Sequence, residues 1–422
     1  MISLAQTLIS KASGQDNLNV GDVVVCNVDL AMIHDSGGPR RVKPILEKLN
    51  RNVWDNKKVV VVTDHYVPAD TDETRAIQQL TKEWVHDQAI SNFYDEQGIC
   101  HVVLPERGHL SPGMFCVGGD SHSPTGGAFG AYMFGVGATE MAGVLATGEI
   151  WIKVPETILL QWDNILAPFV TAKDMMLATC RNIGMGGGRY QAIQYAGEAV
   201  RNLNMQERMT MSNMAAELGA QAGLIAPDDV TAAFIKNAGG ALPANWQDYC
   251  IEVPDPGGKV MREDAATLSP QIAAPHSPAN ADDAENFKNT SFDIAYIGAC
   301  TGAKYVDLKA AADVLKGKSI ARGITLKVAP ASLRDQQQAE RDGIMQILQD
   351  AGAEFLSNSC GICAGYGNDR LAEDQICLSS TARNFKGRMG ATSSQVYLAS
   401  PYTVAASALT GQMTDPRQVM EA

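Results

Sequence analysis

Val59-Val-Val-Val-Thr63 is an unbroken run of β-branched residues, and a stretch with helical periodicity, residues 73–88, follows it. A short continuous run of this kind predicts a strand that is buried on both faces, as the strands of parallel sheets are. The same pattern predicts buried parallel strands at residues 23–28 and 101–105, with a helix at residues 39–49. Strands that alternate with helices in this way predict an α/β protein with parallel-rich sheets.

Further along the chain, residues 268–290 are rich in Ala, Pro, Ser, Asn and Asp, which predicts a connection between two lobes. A second alternation of strands and helices begins after this connection. The remaining predicted elements are helices at 172–182, 206–222, 228–236, 307–315 and 333–350, and strands at 292–298 and 326–328. A chain of 422 residues is also too long for one core, so we expect several lobes.

Composition excludes several classes of function. The net charge is −13 and there is no basic tract, which argues against a nucleic-acid partner. No run of eighteen apolar residues is present, so we expect no membrane span, and no signal peptide is visible at the start. Nine cysteines, an odd number scattered through a long chain, are typical of a reducing compartment and favour the cytoplasm.

Three of the cysteines stand out by their surroundings. Cys300 ends the apolar stretch Tyr296-Ile-Gly-Ala-Cys, while Cys360 and Cys363 form a Cys-x-x-Cys in a second stretch that we predict to be strand-like. Three thiolates are one short of the four that close an iron–sulfur cluster, and an exposed iron is a Lewis acid. Spacing alone leaves a redox pair, part of a zinc site and ordinary structural thiols open.

Histidines lie beside carboxylates just after predicted strands. Asp64 and His65 directly follow Val59–Thr63, and Asp120 with His122 follows an apolar run that ends at Gly119. Because ligand sites in parallel α/β sheets lie at the carboxyl ends of strands, these side chains could share one cleft. A carboxylate next to an imidazole orients it for proton transfer. A third pair of this kind is His34 and Asp35.

Two pairs of side chains could bind an anionic substrate. Arg383 and Arg388 are five residues apart across a glycine turn, and paired guanidinium groups bind carboxylates or phosphate. Asn213 and Glu217 are four apart on the helix predicted at 206–222, so they share one face. Taken alone, each pair is more typical of a solvated surface. The dense glycines at 126–137 lack the order of a dinucleotide loop, so we interpret them as close packing beneath Asp120 and His122.

Several long motifs, in order along nearly the whole chain, resemble the aconitase superfamily, and within it the separate large subunits of 3-isopropylmalate dehydratase. The motifs that carry the resemblance are Thr63-Asp-His-Tyr-Val-Pro-Ala, Gly98-Ile-Cys-His, Gly119-Asp-Ser-His-Ser, Asn213-Met-Ala-Ala-Glu, Pro275-His-Ser-Pro, Arg383-Asn-Phe-Lys-Gly-Arg and Tyr397-Leu-Ala-Ser-Pro. The resemblance implies three α/β domains without the family's swivelling fourth domain. We expect two intertwined lobes in residues 1–284 and a third domain, with all three cysteines, in residues 285–422.

The resemblance also implies the chemistry. A 4Fe-4S (four-iron, four-sulfur) cluster on Cys300, Cys360 and Cys363 would keep one iron without a cysteine ligand, and that iron would bind the substrate. The reaction would be the reversible dehydration of a hydroxy di- or tricarboxylate. Asp64, His65, His101, Asp120 and His122 would form the acid side, Glu217 and Asn213 would support the departing oxygen, Arg383 and Arg388 would hold a carboxylate, and His34 matches a histidine of the isopropylmalate branch.

In this branch of the superfamily, the base that removes the proton is a serine on a separate small subunit, which carries the swivelling domain. We therefore expect a small-subunit partner and a small hydroxy-acid substrate. The substrate would be 3-isopropylmalate, with homoaconitate, 2,3-dimethylmalate, methylcitrate or another malate analogue as alternatives. A non-catalytic ligand-binding relative is the alternative from a different class. Departures from the family pattern fall at Gly302, Ala303 and Lys304 beside the first cysteine and at Ala382 before the first arginine.

Overall fold

The computed structural model describes residues 2–252 and 258–420. Its strands are β1 Val23–Asn27, β2 Leu30–His34, β3 Val59–Thr63, β4 Asn92–Asp95, β5 Phe115–Gly118, β6 Tyr132–Gly135, β7 Glu149–Lys153, β8 Thr157–Asp163, β9 Ala192–Ala196, β10 Ala222–Ile225, β11 Val260–Asp264, β12 Gln271–Ala273, β13 Ala281–Asp283, β14 Ile294–Ile297, β15 Thr325–Val328, β16 Ala353–Phe355, β17 Ile376–Ser379 and β18 Gln395–Ala399. Its helices are α1 Leu4–Ser13, α2 Pro39–Leu49, α3 Asp72–Asp87, α4 Cys100–Glu106, α5 Ala138–Thr147, α6 Ala172–Ile183, α7 Glu198–Asn202, α8 Met205–Met214, α9 Asp229–Asn237, α10 Tyr305–Leu315, α11 Leu333–Arg341, α12 Ile344–Ala351 and α13 Pro401–Thr410.

The strands form two parallel sheets, one mixed sheet and a two-stranded ribbon. The first sheet has the order β4-β3-β2-β5-β6, and the second has the order β10-β9-β8-β11; all neighbours in both are parallel. The third has the order β13-β12-β18-β17-β14-β15-β16, in which only the pairs made by β12 are antiparallel. The prediction of an α/β protein with parallel-rich sheets is therefore confirmed.

Two of the predicted parallel strands are wrong. β1 pairs with β7 in an antiparallel ribbon, and alternate residues such as Val23 and Val25 are exposed rather than buried. The segment that contains His101 is helix α4, whose first backbone N–H, that of Cys100, donates to the Asp64 carboxylate at 2.7 Å. A short apolar run is compatible with either a buried strand or a buried helix, and here the carboxylate at the helix N-terminus favours the helix.

Glycines break two of the predicted helices. The helix predicted at 206–222 ends at Met214, continues as a 3₁₀ turn at Ala215–Leu218 and stops at Gly219, which has φ +70°. The helix predicted at 333–350 is divided into α11 and α12 by Gly343, which has φ +73°. Positive φ is a conformation that glycine adopts without the steric cost that other residues incur.

The connection predicted at 268–290 contains β12 and β13, which extend the third sheet through β18. The division of the chain at residues 284 and 285 stays a prediction. One hydrophobic core includes Met32 and Val60 from the first sheet together with Ala295 and Ile297 from β14. Cys300, in the loop after β14, belongs to the same core.

None of the helices in the described ranges is long and apolar enough to cross a membrane.

Candidate active site

A chain of hydrogen bonds links four elements at the carboxyl end of the first sheet. His101 Nε2, on α4, lies 2.7 Å from Asp120 Oδ1, in the loop after β5. The same oxygen accepts from the backbone N–H of His122 at 2.8 Å. His122 Nε2 lies 2.9 Å from Glu217 Oε1, and Glu217 accepts from Arg383 Nε at 2.8 Å. Five of the residues predicted from the sequence are therefore in one continuous network.

A second group lies at the ends of β2 and β3. His65 Nδ1 is 2.6 Å from Asp64 Oδ1, and the His65 ring stacks on His34 with ring centroids 4.1 Å apart. The fully buried Asp35 accepts hydrogen bonds from the backbone N–H groups of His65 and Tyr66 at 3.1 and 2.9 Å. Asp35 therefore holds the turn that carries Asp64 and His65, a positioning role that its sequence pattern alone did not indicate.

The histidines His65 and His122, one from each group, are in opposite protonation states. Burial disfavours the charged form of His65, but the Asp64 carboxylate outweighs this effect and raises the pKa of His65 to about 10. Burial and the Arg383 guanidinium lower the pKa of His122 to about 4. Against the effect of burial, the hydrogen bond from His101 holds the pKa of Asp120 well below its usual range. At neutral pH the site therefore contains a protonated His65, a neutral His122 and an ionised Asp120.

The three cysteines lie at the junction of the first and third sheets. Cys300 is in the loop after β14, as predicted. Cys360 directly precedes a 3₁₀ turn, Gly361–Ala364, and Cys363 lies within it, so the strand predicted there is wrong. The Cys360 backbone N–H donates to the Asp64 carbonyl at 2.7 Å, which joins this turn to the histidine groups. Asn213 Nδ2 donates to Cys300 Sγ at 3.2 Å, so Asn213 faces the thiols.

The surroundings of these thiols suit a large anionic group. A hydrogen bond from Cys360, with the nearby Arg388, lowers the pKa of Cys363 to about 6. Asn213 Oδ1 and Arg388 Nε are buried and have no hydrogen-bond partner in the described structure. Of the three thiols only Cys363 is ready to ionise, because burial raises the pKa of Cys300 to about 12 and the hydrogen bond to Cys363 raises the pKa of Cys360. The unpaired Arg388 Nε–H group, a donor beside these thiols, fits a bound iron–sulfur cluster.

The geometry disfavours a single metal ion on the three thiols. Where ligand atoms lie within 4.8 Å of one another, the described residues form only two candidate groups, His34-Asp35-Asp64-His65 and His101-Asp120-His122. Neither group includes a cysteine. Zinc–sulfur bonds are about 2.3 Å long, so the ligands of one zinc ion must be gathered more closely than these thiols are. The zinc hypothesis that spacing left open is thereby weakened.

The two predicted arginines have different surroundings. Arg383 pairs with Glu217 and also donates to Ser121 Oγ at 2.7 Å from its terminal Nη1. Arg388 is close to the Cys360 and Cys363 thiols, which raise its pKa further. Asn384, between them in sequence, fixes this loop by donating to the carbonyls of Ala274 and Val396 at 2.9 and 3.0 Å. A recess beside Arg383 is lined by small residues, among them Gly219 and Ala220.

The departures beside Cys300 have a packing reason. A Cβ atom at Gly302 would lie 2.2 Å from Ser380 Oγ, so the serine occupies the space that a side chain at 302 would need. Lys304 is fully buried, donates to the Cys300 carbonyl at 2.8 Å and pairs with Asp307 at 2.9 Å.

The glycine-rich segment also matches its predicted role, because a Cβ atom at Gly127 would lie 1.9 Å from the Gly223 carbonyl oxygen.

Sequence reasoning missed Lys173, which lies at the start of α6 and is 1% exposed. Its ammonium group contacts the loops that carry Cys300 and Arg383. The available signal was a charged residue at the start of the otherwise apolar stretch Met175-Met-Leu-Ala.

The sequence model of the Aconitase family (aconitate hydratase) matches residues 6–293 and 279–411. The chain is 42% identical over 419 residues to "3-isopropylmalate dehydratase large subunit 1" of Methanopyrus kandleri, covering 98% of this chain and 99% of that one. It is 41% identical over 400 residues to the "Probable methanogen homoaconitase large subunit" of Methanosarcina mazei, covering 94% and 100% of the two chains.

Among solved structures, the holo-form of aconitase X from Thermococcus kodakaraensis has a TM-score of 0.51 at 12% identity and covers 85% of this chain and 84% of that one. This likeness supports the fold alone. The family model and the relatives named above each cover nearly the whole chain. The chain therefore belongs to the aconitase family and is a hydro-lyase.

Proposed function

We propose that this chain is the large, cluster-binding subunit of a hydro-lyase that reversibly dehydrates a malate-type hydroxy acid, with 3-isopropylmalate as the first candidate substrate. The observation that carries this proposal is the meeting of two features at one place. The Cys360 backbone N–H bonds to the Asp64 carbonyl, and Asn213 bonds to Cys300 Sγ, so the thiols adjoin the acid–base groups. The candidate substrate comes from the names of the relatives.

Members of the aconitase family generally bind a four-iron, four-sulfur cluster. Here Cys300, Cys360 and Cys363 would hold it, which leaves one iron without a cysteine ligand. When bound, the cluster supplies a Lewis-acidic iron that makes hydroxide a better leaving group. Asn213 and Arg388 would donate hydrogen bonds to the sulfur atoms around this position.

The acid side would consist of two imidazole–carboxylate pairs. His65 holds a proton on a ring nitrogen at neutral pH, because Asp64 raises its pKa to about 10. His101 shares a hydrogen bond with the ionised Asp120 at 2.7 Å. The protonated His65 would deliver a proton to the departing hydroxyl group, which leaves a neutral imidazole beside the Asp64 carboxylate, and the His101–Asp120 pair is the second candidate for this role. His34, stacked on His65, would keep water away from one face of that ring.

The remaining residues would bind and orient the substrate. Glu217 and Asn213 would support the departing oxygen, while Arg383 and Arg388 would hold a carboxylate. Arg383 is engaged by Glu217 at 2.8 Å, and its Nη1 reaches Ser121. Substrate binding would exchange the Ser121 contact for a carboxylate, and the pairing with Glu217 would keep the guanidinium plane in place.

The partner would be a small subunit that carries the swivelling domain and the base that removes the carbon-bound proton. The support for a partner is that the curated relatives with near-complete mutual coverage are named large subunits. The small subunit would close the cleft over the cysteine junction and exclude water.

A substrate panel tests this proposal. The large subunit, reconstituted anaerobically and mixed with the small subunit, should dehydrate 3-isopropylmalate, and the absorbance of the unsaturated product measures this reaction. Homoaconitate belongs in the panel because a relative of similar identity carries that name. Absence of activity on every malate analogue, with iron content complete and the subunits associated, would contradict the proposal.

A further inference from the structure

Lys173 is a buried cation without an acidic partner. Its side chain is on α6 and is 1% exposed. Its ammonium nitrogen donates to the carbonyls of Ser380 and Thr381 at 2.9 and 2.5 Å and to Thr301 Oγ1 at 3.2 Å. All three acceptors are uncharged, and no carboxylate of the described residues lies within ion-pair distance of this nitrogen.

The surrounding charges compensate this cation only in part, since Asp307 favours protonated Lys173 but already pairs with another cation. Lys304 is a second buried ammonium, but it pairs with Asp307 at 2.9 Å, so that pair is neutral overall. Glu207 lines the same small cavity as Lys173, and burial raises the pKa of Glu207. Burial and Lys304 lower the pKa of Lys173 to about 8, so the group remains largely protonated at neutral pH.

The position of Lys173 in α6 makes its positive charge still less favourable. Lys173 is the second residue of the helix, and the helix dipole disfavours a cation in the first turn. An uncompensated charge in the interior is strongly destabilising in proteins. A nearby anion would remove this cost, and Thr301, which accepts from Lys173, is adjacent to Cys300 in the chain.

We propose that Lys173 is a positioning residue that supplies the counter-charge of the cluster and ties together the two loops that frame it. It contacts Thr301, next to Cys300, and Thr381, two residues before Arg383. Cluster binding would thus stabilise Lys173, and Lys173 would in turn favour the more negative, reduced form of the cluster and its retention. This inference rests on the proposed cluster.

The test compares Lys173→Met and Lys173→Gln with the wild type, each as apo and as reconstituted large subunit. Gln keeps hydrogen-bond donors toward the carbonyls and removes only the charge. We expect the rise in melting temperature on cluster binding to shrink in both variants. We also expect iron release to a chelator to become at least about tenfold faster and the cluster's midpoint potential to become more negative, since a cation has been removed.

The matched control is Lys309→Met. Lys309 lies on α10 beside the same cavity, but its side chain is 53% exposed and pairs with Asp313. The same loss of one positive charge should leave iron release and midpoint potential unchanged, because solvent screens that position.

The outcomes separate the two proposals. If wild-type protein takes up no iron, the proposed function fails. If the wild type is fully loaded but both Lys173 variants lose equal stability with and without the cluster, at unchanged potential, Lys173 is only structural and this inference is overturned. Failure of Lys173→Met alone to fold leaves Lys173→Gln to decide between these results.

Discussion

Asp120 is the residue on which the acid–base network converges, since both His101 and the His122 backbone bind the same oxygen. In Asp120→Asn the carboxylate that orients the His101 ring is lost. We expect kcat to fall about 10²- to 10⁴-fold, the range that general acid–base groups contribute. Steady-state kinetics of the complex with the small subunit would measure the loss, and iron content should be unchanged.

Asp95→Asn is the control for this substitution. Asp95 ends β4 at the same edge of the sheet, but it pairs with Lys82 and is 36% exposed. Its replacement should change kcat by less than about twofold, because exposed ion pairs contribute little. Equal losses in the two variants would show that Asp120 acts through the fold and not through the acid–base network.

At the scale of elements, α4 and α11 meet through a buried carboxyl group. Glu106, at the end of α4, accepts from Ser332 Oγ at 2.8 Å, and burial together with Asp335 raises its pKa to about 8. A raised carboxyl pKa contributes stability that is present at low pH and is lost as pH rises through about 8. Glu106→Gln should remove this dependence.

Denaturant unfolding of the apo protein at pH 5.5 and 9 measures the effect. Between pH 5.5 and 9, the free energy of unfolding of Glu106→Gln should rise relative to that of the wild type by about 1 kcal/mol or more, because one pKa unit corresponds to about 1.4 kcal/mol. The opposite sign, or parallel pH curves, would show that Glu106 ionises normally at this junction.

The glycine-rich segment begins within a 3₁₀ helix, Ser123–Phe129, that packs directly on β10. Gly127→Ala would place a Cβ atom 1.9 Å from the Gly223 carbonyl oxygen, so the segment or β10 must move. We expect the free energy of unfolding to fall by about 1–3 kcal/mol, the usual effect of overpacking. The control is Gly143→Ala in α5, where nothing lies within 4 Å and the substitution should stabilise by about 0.5–1 kcal/mol. A loss at Gly143 equal to that at Gly127 would contradict the packing argument.

For the molecule as a whole, the sequence pattern predicted the strands and helices whose formation depends on neighbouring residues in the chain. Val59–Thr63 and the helices near Pro39–Leu49 and Ala172–Ile183 have clear periodicity, and the structure confirms them. His101 was placed on a strand because a short apolar run carries no periodicity. The Asp64 carboxylate that starts α4 comes from a different part of the chain.

The candidate site divides in the same way. The histidine and carboxylate pairs were predicted from their positions after strands, and the structure brings Asp120, His101, His122, Glu217 and Arg383 into contact. Lys173 was missed, and the positioning role of Asp35 was not predicted, because both depend on contacts with loops distant in sequence. The resemblance to the family, and not spacing, favoured a cluster over the redox and zinc alternatives.

The most direct measurement of the central claim is iron and acid-labile sulfide per chain after anaerobic reconstitution of the wild type and Cys300→Ser. We predict about four of each in the wild type and loss of cluster and turnover in the variant, because three thiolates hold the cluster. Iron near zero in the wild type, tightly bound zinc instead, or full iron and turnover in Cys300→Ser would contradict this claim.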